Sequence, residues 1–322
     1  MRILVTGATG FVGGHLTDLL LATGGADIHG VARRAAWAPE LAHLASHVPL
    51  HATDLSERAA VESVLRDVKP EQIYHLAGYA KSGPSVREPD AAWTGNLAAT
   101  RALFDAVVAW GGSPRIVAVT SGMIYGANER PDVACGESAP LRPDNPYACS
   151  KAAADLLAYQ VTRWPGLDVV RVRPFNQIGP RQAAEFAVAS FASQLARIER
   201  GEQSPRLSVG NLDTYRDFTD VRDMADAYRR VMESGVRGET YNAASGVPVR
   251  IGDVLDQLRA ICRCPVEVVT AADRLRPADA AVLTGDSGKL RQATGWRPRY
   301  SLQQTLRDTL DYWRRLPSEP RP

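Results

Sequence analysis

The spacing of apolar and polar positions changes period repeatedly along the first half of the chain. Apolar runs at residues 3–5, 27–32, 72–76, 116–120 and 169–172 have the length of buried strands. Between them, apolar side chains recur at helical spacing over 11–21, 58–68, 96–110 and 147–163, with Leu16, Leu19 and Leu20 on one face of the first. Such alternation predicts an α/β fold: a parallel sheet with helices on both faces. The second half changes character. Helical patterns at 186–200, 251–262 and 301–315 are separated by Gly- and Pro-punctuated stretches, without repeats. The end, 316–322, contains three prolines and reads as a frayed tail.

Bulk composition narrows the function classes. A chain of 322 residues suits one large domain or two intimate ones. Hydrophobic residues at 45% and charged residues at 23% are an ordinary globular balance. A net charge of +2 gives no footing for nucleic acid or an anionic membrane surface. No stretch approaches the roughly 20 apolar residues of a membrane span. The first apolar run meets Gly7 too early for a secretory segment, so a cytoplasmic enzyme is expected. Of four cysteines, only Cys262 and Cys264 lie close together; a lone CxC is no zinc motif, and reduced thiols with no metal are expected.

The first chemistry lies in Thr6-Gly7-Ala8-Thr9-Gly10-Phe11-Val12-Gly13, which leaves a strand and opens a helix. Glycines there allow a tight turn, close approach of backbone to a pyrophosphate, and close helix–strand packing. The free N–H groups and the helix dipole favour phosphate charge. Gly7, Thr9, Gly10, Phe11, Val12 and Gly13 are therefore cofactor candidates on a Rossmann-type, doubly wound sheet. The second strand ends Val31-Ala32-Arg33-Arg34, whereas an acid at that end would take a ribose 2′-hydroxyl. Two guanidinium groups suit a 2′-phosphate, which predicts NADP(H); the alternative is a solvated basic loop.

Tyr147 and Lys151 stand four apart, on one face of a helix. An ammonium near a phenol favours phenolate, so the tyrosine could exchange protons near neutral pH. With the glycine loop and Tyr147/Lys151 come Asp54-Leu55, His75-Leu76-Ala77-Gly78, Asn96, Thr120-Ser121-Gly122-Met123-Ile124-Tyr125-Gly126 and Arg173-Pro174-Phe175-Asn176. In this order they resemble the extended short-chain dehydrogenases/reductases that modify nucleotide sugars, over nearly the whole length. The resemblance implies that Asp54 and Leu55 hold the adenine, that Leu76, Ala77 and Gly78 line the cofactor, and that Lys151 binds the nicotinamide ribose. It adds Asn96 and Pro174 to the cofactor residues, and makes Ser121, Tyr147 and Lys151 catalytic. Leu55, Leu76 and Ala77 could equally be core, and Asp54 and Asn96 could be helix caps.

The second half resembles family members that act on GDP-mannose derivatives. The likeness runs through Phe191-Ala192-Ser193-Gln194-Leu195, Val209-Gly210-Asn211-Leu212-Asp213, Arg216-Asp217-Phe218, Leu275-Arg276-Pro277 and Thr294-Gly295-Trp296. It implies a GDP-sugar substrate met by Ser85, Ser121, Asn176, Val209, Asn211, Arg216 and Arg276, with the two arginines as forked clamps on the diphosphate. A dehydratase needs an acid/base group beyond the tyrosine, and the family's dehydratases carry carboxylates just after the serine or threonine. Gly122 and Met123 fill those positions and cannot transfer a proton, so reduction of a 4-keto group is expected, with epimerisation and dehydration as alternatives. In Gly179-Pro180-Arg181-Gln182, where the family often has a second glycine, Arg181 either touches substrate or faces solvent. The reading divides the chain into a cofactor domain (1–175 plus about 214–245) and a substrate lobe (176–213 plus 246–315). The family implies a homodimer; Leu103, Val107, Ala153, Leu157 and Val161 could face a partner or pack within one chain.

Overall fold

The structure, a computed structural model, describes residues 1–126, 133–271 and 282–317. Strand β1 (Arg2–Thr6) runs into helix α1 (Phe11–Thr23), followed by β2 (Asp27–Ala32), β3 (Leu50–Ala52), α2 (Arg58–Val68) and β4 (Gln72–His75). A short helix α3 (Pro89–Ala92) and a π-helical turn (Trp93–Ala98) lead into α4 (Ala99–Trp110), then β5 (Arg115–Val119), α5 (Pro146–Arg163) and β6 (Asp168–Pro174). The rest of the chain forms β7 (Asn176–Ile178), α6 (Ala187–Glu199), β8 (Arg206–Val209), β9 (Tyr215–Asp220), α7 (Val221–Ser234) and β10 (Thr240–Ala243). It ends with β11 (Pro248–Arg250), α8 (Ile251–Ala260), β12 (Glu267–Thr270), β13 (Val282–Leu283), α9 (Gly288–Thr294) and α10 (Leu302–Arg315).

Seven strands make one parallel sheet in the order β3-β2-β1-β4-β5-β6-β10. The first six follow the doubly wound dinucleotide-binding order, whose reversal beside β1 opens a crevice at the carboxyl ends of the strands. Side chains of β1 point alternately to two cores. Ile3 and Val5 pack with Leu16 and Leu20 of α1 and Met224, Tyr228 and Val231 of α7. Leu4 packs on the other face with Val61 and Leu65 of α2 and Leu103, Phe104 and Val107 of α4. Burial on both faces is why these strands read as continuous apolar runs. Leu103, Val107 and Val161 belong to this second core, so they are not available to a second subunit.

The smaller lobe holds β9 flanked by β11 and β13, with β7 also pairing β9, and a separate β12-β8 pair. Its core joins Val188, Phe191 and Leu195 of α6 to Leu255 and Leu258 of α8 and Leu306 and Leu310 of α10. Strand pairing and core packing each cross the expected division of the chain at one place. Strand β9 belongs to the small sheet, although residues from 214 onward were expected on the cofactor side. Leu290 and Trp296, expected in the small lobe, are buried in the first core, where the Trp296 indole N–H donates to Asp223 O at 2.8 Å. Among the described residues, no helix is long and apolar enough to cross a membrane.

Candidate active site

The glycine loop lies between β1 and α1, at the sheet's crevice. Gly7 has φ +71°, and a Cβ there would stand 2.9 Å from Ala77 N. A Cβ on Gly13 would come within 2.8 Å of Ala8 Cα and closer still to Gly7 O, so helix and loop touch backbone to backbone. Gly10 N–H closes the turn onto Gly7 O at 2.9 Å. Thr9, Phe11 and Val12 remain partly open around the turn. The cradle that side chains would fill, at the N-terminus of a 13-residue helix, fits a pyrophosphate.

Arg33 and Arg34 are exposed just beyond β2. Asp54 follows β3 and accepts from Ser56 N–H at 2.9 Å and Ser56 Oγ–H at 2.8 Å. These bonds, with Arg33's charge adding to them, hold its carboxyl below the usual carboxylate range. Asp54 thus works as a turn cap beside the arginines. Leu55 is buried in the second core, while Leu76 and Ala77 pack partly against the first and second cores respectively. A Cβ on Gly78 would sit 2.6 Å from Asn96 Oδ1 and 3.1 Å from Lys151 Nζ, which brings the backbone after β4 close against the Lys151 side chain of α5. Pro174 is buried at the end of β6.

Asn145 caps α5 by accepting from Ala148 N–H at 3.0 Å, and Pro146 suits the first helical position. Tyr147 and Lys151 therefore lie in the first turns of α5. The Ser121 hydroxyl lies close enough to the Tyr147 phenol to favour its ionised form, and accepts from Met123 N–H at 3.1 Å. Lys151 Nζ is buried and donates to Val119 O at 3.3 Å. Here the structure corrects the expected electrostatics. Burial dominates and raises the Tyr147 phenol above its ordinary value, the nearby Ser121 hydroxyl offsetting only part, while burial lowers Lys151 to about 8. The phenol is held protonated, the state of a proton donor.

Asn96 bridges this helix to the loop after β4. Its Oδ1 accepts from Tyr79 N–H and its Nδ2 donates to Ser150 Oγ, both at 2.9 Å; Ser150 Oγ donates to Tyr147 O at 2.8 Å. A second relay runs underneath. Thr100 Oγ1 donates to Asn96 O, which can only accept, so His75 must donate to Thr100 through Nε2 and accept from Thr6 Oγ1 at Nδ1. Thr6 Oγ1 in turn accepts from Ala77 N–H at 3.2 Å. His75 is fully buried near Lys151 and is pushed down to about 3, first by burial and then by that charge. Neutral imidazole thereby ties the glycine loop, the end of β4 and α4 together.

Sequence reasoning missed Asp155, one turn beyond Lys151 on the same face of α5. It is completely buried and takes Arg171 Nη1 at 2.7 Å and Arg173 Nη2 at 2.6 Å. Thr120, next to Ser121, donates to it at 3.2 Å. Arg173 Nη1 also donates to Tyr125 OH at 2.8 Å, and Tyr125 to Asn242 Oδ1 at 2.7 Å. This cluster clamps both ends of the serine turn. A charge recurring at four-residue spacing after Tyr147 and Lys151 was its only signal in the sequence.

The substrate candidates are scattered. Ser85 is fully buried; its hydroxyl donates to Ser82 O at 2.6 Å and accepts from Tyr147 N–H at 3.3 Å, so it braces the start of α5. Asn176 begins β7, half-buried. Val209 is buried in the small-lobe core, and exposed Asn211 accepts from Asp213 N–H at 2.9 Å. Arg216 donates to Tyr215 O at 2.7 Å. Its neighbour Asp217 instead gathers Ser245 N and Oγ, Gly246 N and Gly285 N at 2.6–3.1 Å, and burial raises its carboxyl against those four donors. Arg276 lies outside the described residues. A Cβ on Gly122 would meet the Phe175 ring at 2.7–2.9 Å, and Met123 packs against the apolar cluster of Tyr125, Cys135, Phe175, Ala244 and Leu283. The positions after Ser121 are thus apolar in environment as well as in identity. Arg181 is not left in solvent: it is bonded to His15 and Asp18 of α1.

Comparison with known proteins matches this arrangement. The profile of the family described as GDP-mannose 4,6 dehydratase spans residues 4–309. GDP-6-deoxy-D-mannose reductase of Pseudomonas aeruginosa is 35% identical over 97% of this chain and 97% of its own. The solved structure of RMD from Pseudomonas aeruginosa complexed with NADPH superposes with TM-score 0.83 at 34% identity, covering 97% of this chain and 98% of that one. The UDP-glucose 4-epimerase of Thermus thermophilus, solved with NAD, reaches TM-score 0.87 at 29% identity over 98% and 99% of the two chains. The glycine cradle, the Ser121/Tyr147/Lys151 set and a profile match along almost the entire length establish that this chain belongs to the GDP-mannose 4,6-dehydratase family, within the extended short-chain dehydrogenases/reductases.

Proposed function

We propose that the protein is an NADPH-dependent reductase of the 4-keto group of a nucleotide sugar, converting GDP-4-dehydro-6-deoxy-D-mannose to GDP-D-rhamnose. The observation that carries this is a protonated Tyr147 beside the Ser121 hydroxyl, with no acid at Gly122 or Met123 next to that serine. Similarity to the Pseudomonas aeruginosa reductase and its NADPH-bound structure supports the choice of substrate and cofactor. When bound, NADPH supplies the hydride for the carbonyl carbon. Tyr147 gives its proton to the C4 oxygen, and Ser121 donates a hydrogen bond to the same oxygen as charge develops there. Lys151, cationic below about pH 8, stabilises the phenolate that Tyr147 leaves behind. The glycine loop holds the pyrophosphate, Lys151 and the Gly78 backbone flank the nicotinamide ribose, and Arg33 with Arg34 takes the 2′-phosphate. Arg216 and Arg276 are assigned to the GDP diphosphate. A homodimer through the outer faces of α4 and α5, where Val108, Leu156 and Tyr159 stay exposed, belongs to the same reading.

Arg33→Ser/Arg34→Ser is expected to weaken NADPH use roughly 10- to 100-fold, from about 1.5–3 kcal/mol for a hydrogen bond to a charged group, and to leave NADH use alone. Steady-state KM values for both cofactors check this; an undiminished preference would assign the arginines to solvent.

The substrate is tested by incubating the protein with NADPH and enzymatically prepared GDP-4-dehydro-6-deoxy-D-mannose and following the product by NMR. Stoichiometric NADPH loss with an equatorial C4 hydroxyl supports the proposal; an axial hydroxyl moves the product to the talose series. The fold similarity to UDP-glucose 4-epimerase favours one rival. An epimerase would interconvert nucleotide sugars on retained cofactor with no net NADPH loss.

A further inference from the structure

Arg181 is a non-glycine residue with φ +73°, a conformation that L side chains rarely adopt. It lies in the loop after β7, the strand that pairs with β9 of the small sheet. Its guanidinium leaves that lobe and reaches α1. Nη2 donates to His15 Nδ1 at 2.6 Å and to Asp18 Oδ2 at 2.8 Å. The neighbouring Pro180 O can only accept, from His15 Nε2–H at 2.9 Å, which leaves Nδ1 as the acceptor for Arg181 Nη2, while Arg181 Nε stands 3.2 Å from Nε2. His15 is 8% exposed, and its ring stands edge-on to Phe11 at 5.7 Å and 89°. Phe11 is the first residue of α1, immediately after Gly10 of the phosphate cradle. His43 holds the other oxygen of Asp18 at 2.7 Å. A continuous line of contacts therefore runs from the loop behind Asn176 to the turn assigned to the pyrophosphate. Glycine would occupy position 181 without backbone penalty, so the arginine is kept there against conformational preference, and its guanidinium is spent on α1.

We propose that Arg181 is a positioning residue that couples the substrate lobe to the cofactor helix: its His15/Asp18 latch makes binding of the guanosine nucleotide and binding of NADPH mutually favourable. The proposal rests on the reductase reading for the identity of the two ligands. Such coupling is reciprocal, so it can be read from either ligand. The experiment is calorimetric titration of NADPH into the full-length protein with and without saturating GDP. For the wild-type protein, GDP is expected to tighten NADPH by about 5-fold or more, the lower end of common coupling factors. In Arg181→Gly, which suits the local backbone, the factor is expected to fall to about one while thermal unfolding stays cooperative. Asp18→Asn should lower it in the same way, and Arg181→Lys, which keeps the charge but loses the fork, should fall between. A structural role alone would shift the melting temperature and leave the ratio intact. A wild-type ratio of one, or an unchanged ratio in Arg181→Gly, overturns the latch while leaving the reductase reading standing. Absence of NADPH binding to the wild-type protein overturns both.

Discussion

Tyr147→Phe is expected to lower kcat for keto-sugar reduction by roughly 10²–10⁴-fold, the usual worth of a positioned acid. The substitution removes one oxygen and leaves Ser121, Lys151 and the glycine cradle in place, so NADPH and GDP-sugar dissociation constants should stay close to wild type. Single-turnover rates with titrated binding check both halves, and a fully active Tyr147→Phe would remove the tyrosine from the mechanism. The pH profile supplies a companion signature. Lys151 sits at about 8 because it is buried, and Tyr147 is raised above its ordinary value for the same reason. In the reductive direction, kcat/KM should hold steady below about pH 8 and fall as pH rises through it, as Lys151 loses its charge. The phenol still carries its proton there. Lys151→Met should be slow and lack that descending limb.

The second large effect is on stability. Asp155 is the shared carboxylate of Arg171 and Arg173, with side-chain exposures of 0%, 10% and 6%. Asp155→Asn leaves two guanidinium groups buried without a counter-charge, and breaking a buried pair in this way costs about 3–5 kcal/mol. That is a large part of the stability of an ordinary domain, about 5–15 kcal/mol. Urea denaturation measures it; a loss under about 1 kcal/mol would mean that the arginines are satisfied without Asp155. Because Thr120 and Tyr125 are held by the same cluster, the folded fraction of Asp155→Asn should lose kcat more than substrate affinity. Replacing all three residues by apolar ones of similar volume should recover stability and not kcat.

These effects show how differently the two levels of organisation contributed. Alternating strands and helices were legible because their periods of 2 and 3.6 are written locally, and both faces of the sheet are covered by apolar stripes close in sequence. The phosphate turn was legible for the same reason: strand, glycines and helix are contiguous, and Gly7 needs the positive φ that it has. Tyr147 and Lys151 could be paired because four residues return a helix to one face.

Everything that depended on distant segments was decided only by folding. Ser85, read as a substrate contact, is also bonded to the backbone of Tyr147, 62 residues away, which no local pattern shows. Arg181 had two open fates, and its partner on α1 lies 163 residues back in the chain. Strand β9 joined the small sheet because β7, β11 and β13 pair with it, which no local pattern specifies. Spacing put an ammonium near a phenol and suggested an easily ionised tyrosine. The packed helix instead withdrew both groups from water, so desolvation outweighed their proximity. Periodicity is a property of neighbours along the chain; burial, and with it charge state, is a property of neighbours in space.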